Sequence, residues 1–203
     1  MPRPAVFTQD QILDASLELV VDSGPATLSM TAVAQALNAS SGSLYHRFAS
    51  RDLLVATLWL RAVRRFQDGY QAKLDHPDPL AAALGAAAHV LAWSRTNLSD
   101  ARLLLLFRST DLLHHSWPEE LRQDNIDLQR RMQAGISAIQ AAFGARDPAS
   151  LQRIRFAVVD VPYAAVRPSL VDGKPPPDSM DALVDETVRH VLSPLLQNPK
   201  GTQ

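Results

Sequence analysis

The sequence predicts an all-α protein in which an N-terminal three-helix domain is followed by a larger helical domain, with about nine helices in all. Apolar residues recur at helical spacing along nearly the whole chain, and no stretch alternates as a strand does. Clusters of helix-breaking residues, such as Asp75-His76-Pro77-Asp78-Pro79, separate segments of ordinary helix length. At 203 residues, the chain is long enough for a small domain joined to a larger one.

The first helix is marked at both of its ends. Thr8 and Gln11 form the Thr-x-x-Gln pattern of a capping box, which predicts a helix start. Ser23-Gly24-Pro25 predicts its end. Between them, one face carries the apolar residues Ile12, Ala15, Leu19 and Val20.

Two short helices joined by a tight turn are predicted next, which is the layout of a helix-turn-helix. Ser29 is a plausible N-cap for the second helix, and Ser40 or Ser41 caps the third. Asn38 occupies the turn, where it tolerates a left-handed conformation. The residues expected to pack inward are Met30, Val33, Ala34 and Leu37 on the second helix, and Leu44, Tyr45 and Phe48 on the third.

The fourth helix is predicted over residues 51–73, with Ser50 as its cap. Further helices are expected near 79–96, 99–114, 117–143, 148–170 and 179–196. Pro162 lies inside one of them and predicts a kink. The run from Leu103 to Phe107 is apolar on all sides and is expected to be buried centrally. Residues 174–177 (Lys-Pro-Pro-Pro) are expected to form an exposed loop.

Composition excludes several classes of protein. With no cysteine, the chain holds neither a disulfide framework nor a thiolate zinc site. No apolar run reaches the length of a membrane span, and the first residues lack the apolar core of a signal peptide, so we expect a cytoplasmic protein without a membrane partner. The net charge is only −1, but no acidic residue lies between Ser23 and Arg51. This removes phosphate repulsion from the helix-turn-helix.

Residues 8–54 resemble the N-terminal DNA-binding domain of the TetR family of transcriptional regulators. The strongest part is the closing Gly-Ser-Leu-Tyr-x-x-Phe-x-Ser-Arg, residues 42–51. The other matching positions are Ile12, Leu13, Ala15, Leu19, Gly24, Leu28, Ser29, Met30, Val33, Ala34, Ser40, Asp52 and Leu54. Three positions depart from the family pattern: Asn38 stands for glycine, Arg51 for lysine and Ser16 for alanine.

The resemblance implies a DNA site on the second and third helices, with the third helix in the major groove. Base edges would meet Ser40, Ser41, Ser43 and His46, with Thr31 as a further base contact. Phosphates would meet Ser29, Tyr45, His46 and Arg51, and Gly42 would let the backbone approach the DNA. Structural alternatives stay open at this point: Gly42 can serve packing, Tyr45 can belong partly to the core, and Ser29 can act as a cap alone.

The resemblance also implies how the chain is organised. We expect a DNA-binding domain over residues 1–54, with the helix at 51–73 as the connection, and an effector-binding and dimerisation domain over residues 55–203. Members of the family act as homodimers on palindromic DNA, and the last two long helices are the natural dimer surface. The apolar residues on those helices are Leu151, Ile154, Phe156, Val158, Val159, Leu183, Val184, Val188, Val191 and Leu192, for which ordinary packing within the chain is the alternative.

An effector pocket among the middle helices is the third implication. Its candidate lining residues are His89, Trp93, Phe107, Asp111, Trp117 and Tyr163, which combine aromatic surface with a few polar groups. They favour a fairly apolar organic effector, although core packing is the alternative for each aromatic residue. Nothing in the sequence calls for a cofactor.

Two other classes of protein compete with a DNA-binding repressor. One is an all-helical enzyme that uses Asp111, His115 and His89, with or without a metal ion. Asp111 and His115 lie four residues apart on one predicted helix face, but no further ligands follow at a set spacing, so we expect neither a metal site nor catalysis. The other is a helical interaction protein without DNA affinity.

Overall fold

The computed structural model describes residues 7–107 and 117–197, and within these ranges every regular element is helical. The all-α prediction is therefore confirmed. The helices are α1 (Gln9–Ser23), α2 (Met30–Ala36), α3 (Ser41–Tyr45), α4 (Arg51–Leu74), α5 (Pro79–Thr96), α6 (Leu98–Leu106), α7 (Glu119–Ala142), α8 (Pro148–Arg155), α9 (Val161–Val171) and α10 (Ser179–Gln197). A 3₁₀ turn, Pro25–Thr27, follows α1, and a π turn, Phe156–Asp160, lies between α8 and α9.

The chain divides into two compact units. The first unit comprises Met1–Val63 and Ser99–Asn125, and the second comprises Arg64–Leu98 and Ile126–Gln203. Helix α4 thus begins in the first unit and ends in the second. The two units are defined by their compactness and not by function. The domain boundary that we expect between residues 54 and 55 therefore stays a prediction.

Local chemistry explains the helix ends of the first unit. The capping box is present, because Thr8 accepts a hydrogen bond from the Gln11 amide at 3.2 Å while the Gln11 side chain accepts one from the Thr8 amide at 2.8 Å. Gly24 ends α1 with a φ of 87°, which favours glycine. The Ser50 hydroxyl accepts from the Leu53 amide at 3.2 Å and begins α4, as predicted.

The core of the first unit joins α1 to the helices that follow. Ser16, which stands where alanine is usual, is fully buried and donates to the carbonyl of Ile12 at 2.7 Å. Arg61 on α4 places Nη2 at 2.8 Å from Oδ1 of Asp14 on α1. Buried apolar residues of this unit include Ile12, Leu13, Leu17, Val20, Leu28, Met30, Val33, Leu44, Phe48, Leu54, Leu58 and Trp59.

The second unit is built around α5, which packs against α9, α10 and the π turn. Its N-terminus is capped by Asp78, whose Oδ1 accepts from the Leu80 amide at 2.9 Å. At the other end of α5, Arg95 donates from Nε to the carbonyl of Pro176 at 2.8 Å and binds both carboxylate oxygens of Asp181. Arg95 thereby ties α5 to the loop before α10.

The helix predicted over residues 148–170 is present as one uninterrupted helical stretch, residues 148–171, which contains a π turn. It consists of α8, the π turn and α9, and Pro162 lies in the first turn of α9. Proline has no N–H, so residue 162 cannot donate a hydrogen bond back to the preceding turn. The irregularity therefore precedes Pro162 as a wide turn.

Two smaller predictions need correction. Leu103 is fully buried, but Leu106 is 40% exposed, so the run from Leu103 to Phe107 is not buried on all sides. The loop at 174–177 is exposed except at Pro176, which is buried beside Arg95. In the part of the chain that the structure describes, no helix combines the length and apolar character that a membrane span requires.

Candidate nucleic-acid interface

The site is a helix-turn-helix formed by α2 and α3. Ser29 begins α2, because its hydroxyl accepts from the Ala32 amide at 3.1 Å. Asn38 adopts a φ of 51° in the turn, as predicted, and this left-handed conformation redirects the chain toward α3. Leu44 and Phe48 are buried and anchor α3 to the first unit.

Anchoring α3 on one side leaves its other side exposed. Ser40, Ser41, Gly42 and His46 are exposed, and Tyr45 keeps 53% of its surface accessible. On α2, Thr31 is also exposed. The structure therefore places the proposed reading residues on one accessible part of the first unit, and it leaves no side chain at Gly42 between backbone and solvent.

Two of the serines differ from expectation in their hydrogen bonds. Ser40 occupies the N-cap position of α3, but its side chain makes no capping hydrogen bond. Ser43 is half-buried and donates its hydroxyl to the carbonyl of Ser40 at 2.7 Å. The Ser43 hydroxyl is thus engaged within the turn, whereas Ser41 stands exposed at the start of the helix.

Arg51 has an internal role that the sequence does not reveal. Its Nε donates to the carbonyl of Leu28 at 2.6 Å, and its Nη2 donates to the carbonyl of Pro25 at 2.9 Å. The fork of the guanidinium thereby joins the start of α4 to the segment before α2. About two fifths of the Arg51 side chain, 41%, remains exposed, so the predicted phosphate contact and this tie are compatible.

Sequence reasoning passed over one exposed cation on this surface. Arg47 follows His46 directly after α3 and is exposed. The signal was present in the sequence, because Arg47 lies within the acid-free stretch from Ser23 to Arg51. A long basic side chain beside Tyr45 and His46 is chemically suited to a phosphate oxygen.

The comparisons with known proteins agree with this geometry. Residues 12–58 match the family model described as bacterial regulatory proteins, tetR family. These residues are a helix-turn-helix domain of the TetR family, which is the DNA-binding domain of a transcriptional regulator. No curated protein matches the sequence.

Solved structures of the TetR family share the fold over nearly the whole chain. The regulator PfmR from Thermus thermophilus is 20% identical, with 90% of this chain and 97% of that chain covered and a TM-score of 0.66. A regulator from Marinobacter aquaeolei is 14% identical, with 90% and 94% covered and a TM-score of 0.70. FadR from Bacillus subtilis, solved in complex with stearoyl-CoA, is 15% identical, with 92% and 98% covered and a TM-score of 0.65. At these identities the likeness shows the fold alone.

The candidate effector-binding residues that the structure describes are divided between the two units. His89 and Trp93 lie on α5 in the second unit, and both pack against Phe66 of α4, with ring centroids 5.4 Å and 5.2 Å from the Phe66 ring. Tyr163 is also in the second unit, but it is 49% exposed on α9. Phe107 and Trp117 belong to the first unit.

Asp111 and His115 lie outside the described residues, and so does the metal half-site that they would form. Elsewhere, in residues 7–107 and 117–197, no group of three or more His, Asp or Glu side chains is arranged to hold a metal ion. Nothing in the described residues therefore adds to the enzyme alternative.

The ring of His89 is held in a defined state. Its Nε2 lies 3.1 Å from the carbonyl oxygen of Phe66, which only accepts, so Nε2 carries the proton and Nδ1 is left as an acceptor when the ring is neutral. Burial lowers the pKa of His89, and the nearby Lys73 lowers it further, while the bond to Phe66 opposes this. A Cβ at Gly69 would overlap the His89 ring, so glycine leaves the space that the ring occupies.

Proposed function

We propose that this chain is a repressor of the TetR family that binds a palindromic operator as a homodimer and is released by a small organic effector. The observation that carries the DNA part is the exposed side of α3, which lies within a stretch of the sequence, residues 23–51, that has no acidic residue. Helix α3 enters the major groove with Ser40, Ser41, Ser43 and His46 near base edges. Thr31 provides a further base contact from α2.

Contacts to phosphates fix the position and orientation of the helix-turn-helix on the DNA. We assign them to Ser29, Tyr45, His46 and Arg51, and we add Arg47 because it is exposed beside the others. Gly42 allows close approach of the α3 backbone. The Ser29 and Arg51 side chains combine this role with the internal hydrogen bonds described above.

A second copy of this chain covers exposed side chains of the π turn, α9 and α10. Large apolar side chains remain accessible on these elements, at Phe156, Tyr163, Val171, Leu183 and Leu196. The same elements carry exposed charges of both signs, including Asp160, Arg167 and Glu186. A surface with both signs can pair with its own two-fold copy, as an isologous interface requires. Ile154, Val158, Val184, Val188 and Leu192 are buried within the chain and belong to its own core.

A dimer of this kind places two copies of α3 about one helical turn of DNA apart, roughly 34–36 Å. A palindromic site then presents the same base edges to both copies. An effector that prefers a dimer with a different spacing shifts the population toward the released state.

The effector site that we propose includes His89 and Trp93, because these two residues form one aromatic cluster with Phe66 and Tyr70. Such surface suits an apolar or aromatic organic molecule, and Nδ1 of neutral His89 offers it one hydrogen-bond acceptor. FadR, which has a similar fold, binds stearoyl-CoA. Phe107, Asp111, Trp117 and Tyr163 stay predicted lining residues.

Selection of genomic DNA fragments by the purified protein, at low and at moderate salt, tests the proposal. One palindrome recovered at both salt concentrations supports specific binding by a dimer. Binding that does not depend on the DNA sequence and is lost at moderate salt contradicts it.

Tyr45→Ala is expected to weaken binding to the selected site by about tenfold or more, since a charge-assisted contact is removed from both halves of the dimer. In an interaction protein without DNA affinity, this substitution would not change DNA binding.

A further inference from the structure

Five inward-facing residues around the π turn recur at intervals of four. They are Ile154, Val158, Pro162, Val166 and Leu170, and all are buried in the second unit. A straight α-helix has 3.6 residues per turn, so each step of four residues advances about 40° beyond a full turn. From Ile154 to Leu170 the row would wind about 160° around the axis. A straight helix would therefore turn some of these five residues away from the core.

The π turn corrects most of this drift. The Val161 amide donates to the carbonyl of Phe156, five residues back, instead of to the fourth. One extra residue in the turn takes back about 100° of rotation. Ile154 and Val158 therefore share a buried side with Val166 and Leu170.

Pro162 leaves the Val158 carbonyl in need of a donor from outside the helix. In an α-helix the Val158 carbonyl would accept from the amide of residue 162, but proline has no N–H. Instead, the Tyr70 hydroxyl donates to the Val158 carbonyl at 2.9 Å, and both residues are buried. Burial raises the pKa of Tyr70, so the phenol keeps the proton that it donates.

The turn also sets where the exposed side chains lie. Phe156 and Tyr163 are seven residues apart, so a straight α-helix would place them within about 20° of each other, and the π turn moves them about 100° further apart. Phe156 lies within the turn and is 48% exposed, whereas Tyr163 and Val171 follow it on α9 and are 49% and 57% exposed. If the turn relaxed to α-helix, Phe156 and α8 would rotate by about 100° relative to α9. The apolar surface offered to a second copy would then change its layout.

We propose that the Tyr70 hydroxyl is a positioning group for the interface between two copies of this chain. The Val158 carbonyl has no donor from residue 162 in either form of the helix, so its bond to Tyr70 favours the π turn, in which it is observed, and the π turn fixes the place of Phe156 relative to Tyr163 and Val171. The inference rests on the proposed dimerisation through the π turn, α9 and α10.

The test compares the dimer dissociation constants of Tyr70→Phe and Tyr70→Phe/Pro162→Ala with that of the full wild-type chain, by sedimentation equilibrium. Tyr70→Phe removes only the hydroxyl and is expected to raise the dissociation constant at least about tenfold, with the helical circular dichroism retained. In the double variant, the new amide at residue 162 can satisfy Val158 within an α-helix. We expect it to regain resistance to urea while its dimer remains weaker than wild type.

The matched control is Ser16→Ala, which removes another buried hydroxyl that donates to a helix carbonyl, in the first unit, and is expected to dimerise as wild type does. A wild-type dissociation constant in Tyr70→Phe would overturn the proposal and leave Tyr70 a purely stabilising role. If Tyr70→Phe fails to fold, the double variant decides, and wild-type dimerisation in it would also overturn the proposal. A wild-type chain that stays monomeric contradicts the proposed dimer itself and this inference with it, which separates the two failures.

Discussion

The Nε–H of Arg51 donates to the carbonyl oxygen of Leu28 at 2.6 Å, across 23 residues of sequence. Leu28 comes directly before Ser29, the N-cap of α2, and Arg51 is the first residue of α4. The bond therefore fixes the start of the helix-turn-helix against the helix that follows it. A second bond, from Nη2 to the carbonyl of Pro25, uses the other arm of the same guanidinium.

Arg51→Lys tests this tie. Lysine keeps the positive charge but lacks the planar fork that reaches both carbonyls. We expect the free energy of unfolding to fall by about 1 kcal/mol and the melting temperature by about 2–4 °C, because the site is partly exposed to solvent. The salt dependence of DNA binding should stay unchanged, since the charge is kept. The control is Arg47→Lys at an exposed position, and equal melting temperatures for the two variants would contradict the tie.

Arg47→Ala tests the phosphate contact that the sequence analysis passed over. Removing this exposed cation should weaken operator binding by about tenfold or more and reduce the slope of log K against log salt by about 1.8, or about 0.9 for each half of the dimer. Fluorescence anisotropy with the selected operator at several salt concentrations measures both quantities.

Arg146→Ala is the matched control for Arg47→Ala. Arg146 is exposed after α7, so its substitution removes the same charge from the second unit. It should leave the salt slope as in wild type. Equal slopes for Arg47→Ala and wild type would show that Arg47 meets no phosphate.

Features that depend on local chemistry were predictable from the sequence. The capping box at Thr8, the N-cap at Ser29 and the left-handed turn at Asn38 depend on residues at most three positions apart. Leu44 and Phe48 fix the buried side of α3 as expected, whereas Tyr45, which was expected to pack inward with them, is 53% exposed.

Features that depend on distant partners were not predictable. The two carbonyls that bind Arg51 lie 23 and 26 residues away, and no sequence pattern announces such a bond. The π turn is an intermediate case: the four-residue spacing from Ile154 to Leu170 was visible, but the donor for Val158 comes from Tyr70, 88 residues earlier. Likewise, the sequence did not indicate that His89 and Trp93 both pack against Phe66.

Arg95→Lys tests the tie between α5 and the loop before α10. Only 20% of the Arg95 side chain is exposed, and it binds the carbonyls of Pro176 and Pro177 besides the carboxylate of Asp181. A lysine cannot make all these bonds at once. We expect the free energy of unfolding, measured with urea, to fall by about 2 kcal/mol.

The control for Arg95→Lys is Arg189→Lys. Arg189 also binds both oxygens of a carboxylate, that of Asp185, but the pair is exposed on a single helix. Its loss should change stability less than the loss of Arg95, because solvent screens an exposed pair. Equal effects would mean that the bonds to the Pro176 and Pro177 carbonyls add nothing.

His89 should make the stability of the protein depend on pH. Its pKa is lowered in the folded state, chiefly by burial, so the unfolded chain binds a proton more readily than the folded chain does. The contribution of neutral His89 is complete above the unfolded pKa of about 6.5 and is lost as the pH falls through the folded pKa.

His89→Gln keeps an N–H donor for the Phe66 carbonyl but does not titrate. Urea unfolding at pH 7.5 and pH 5 should therefore show a smaller loss of stability on acidification in His89→Gln than in wild type. His190→Gln, at an exposed histidine of α10, should keep the wild-type loss. If His89→Gln and His190→Gln both lose stability as wild type does, His89 does not carry this pH dependence.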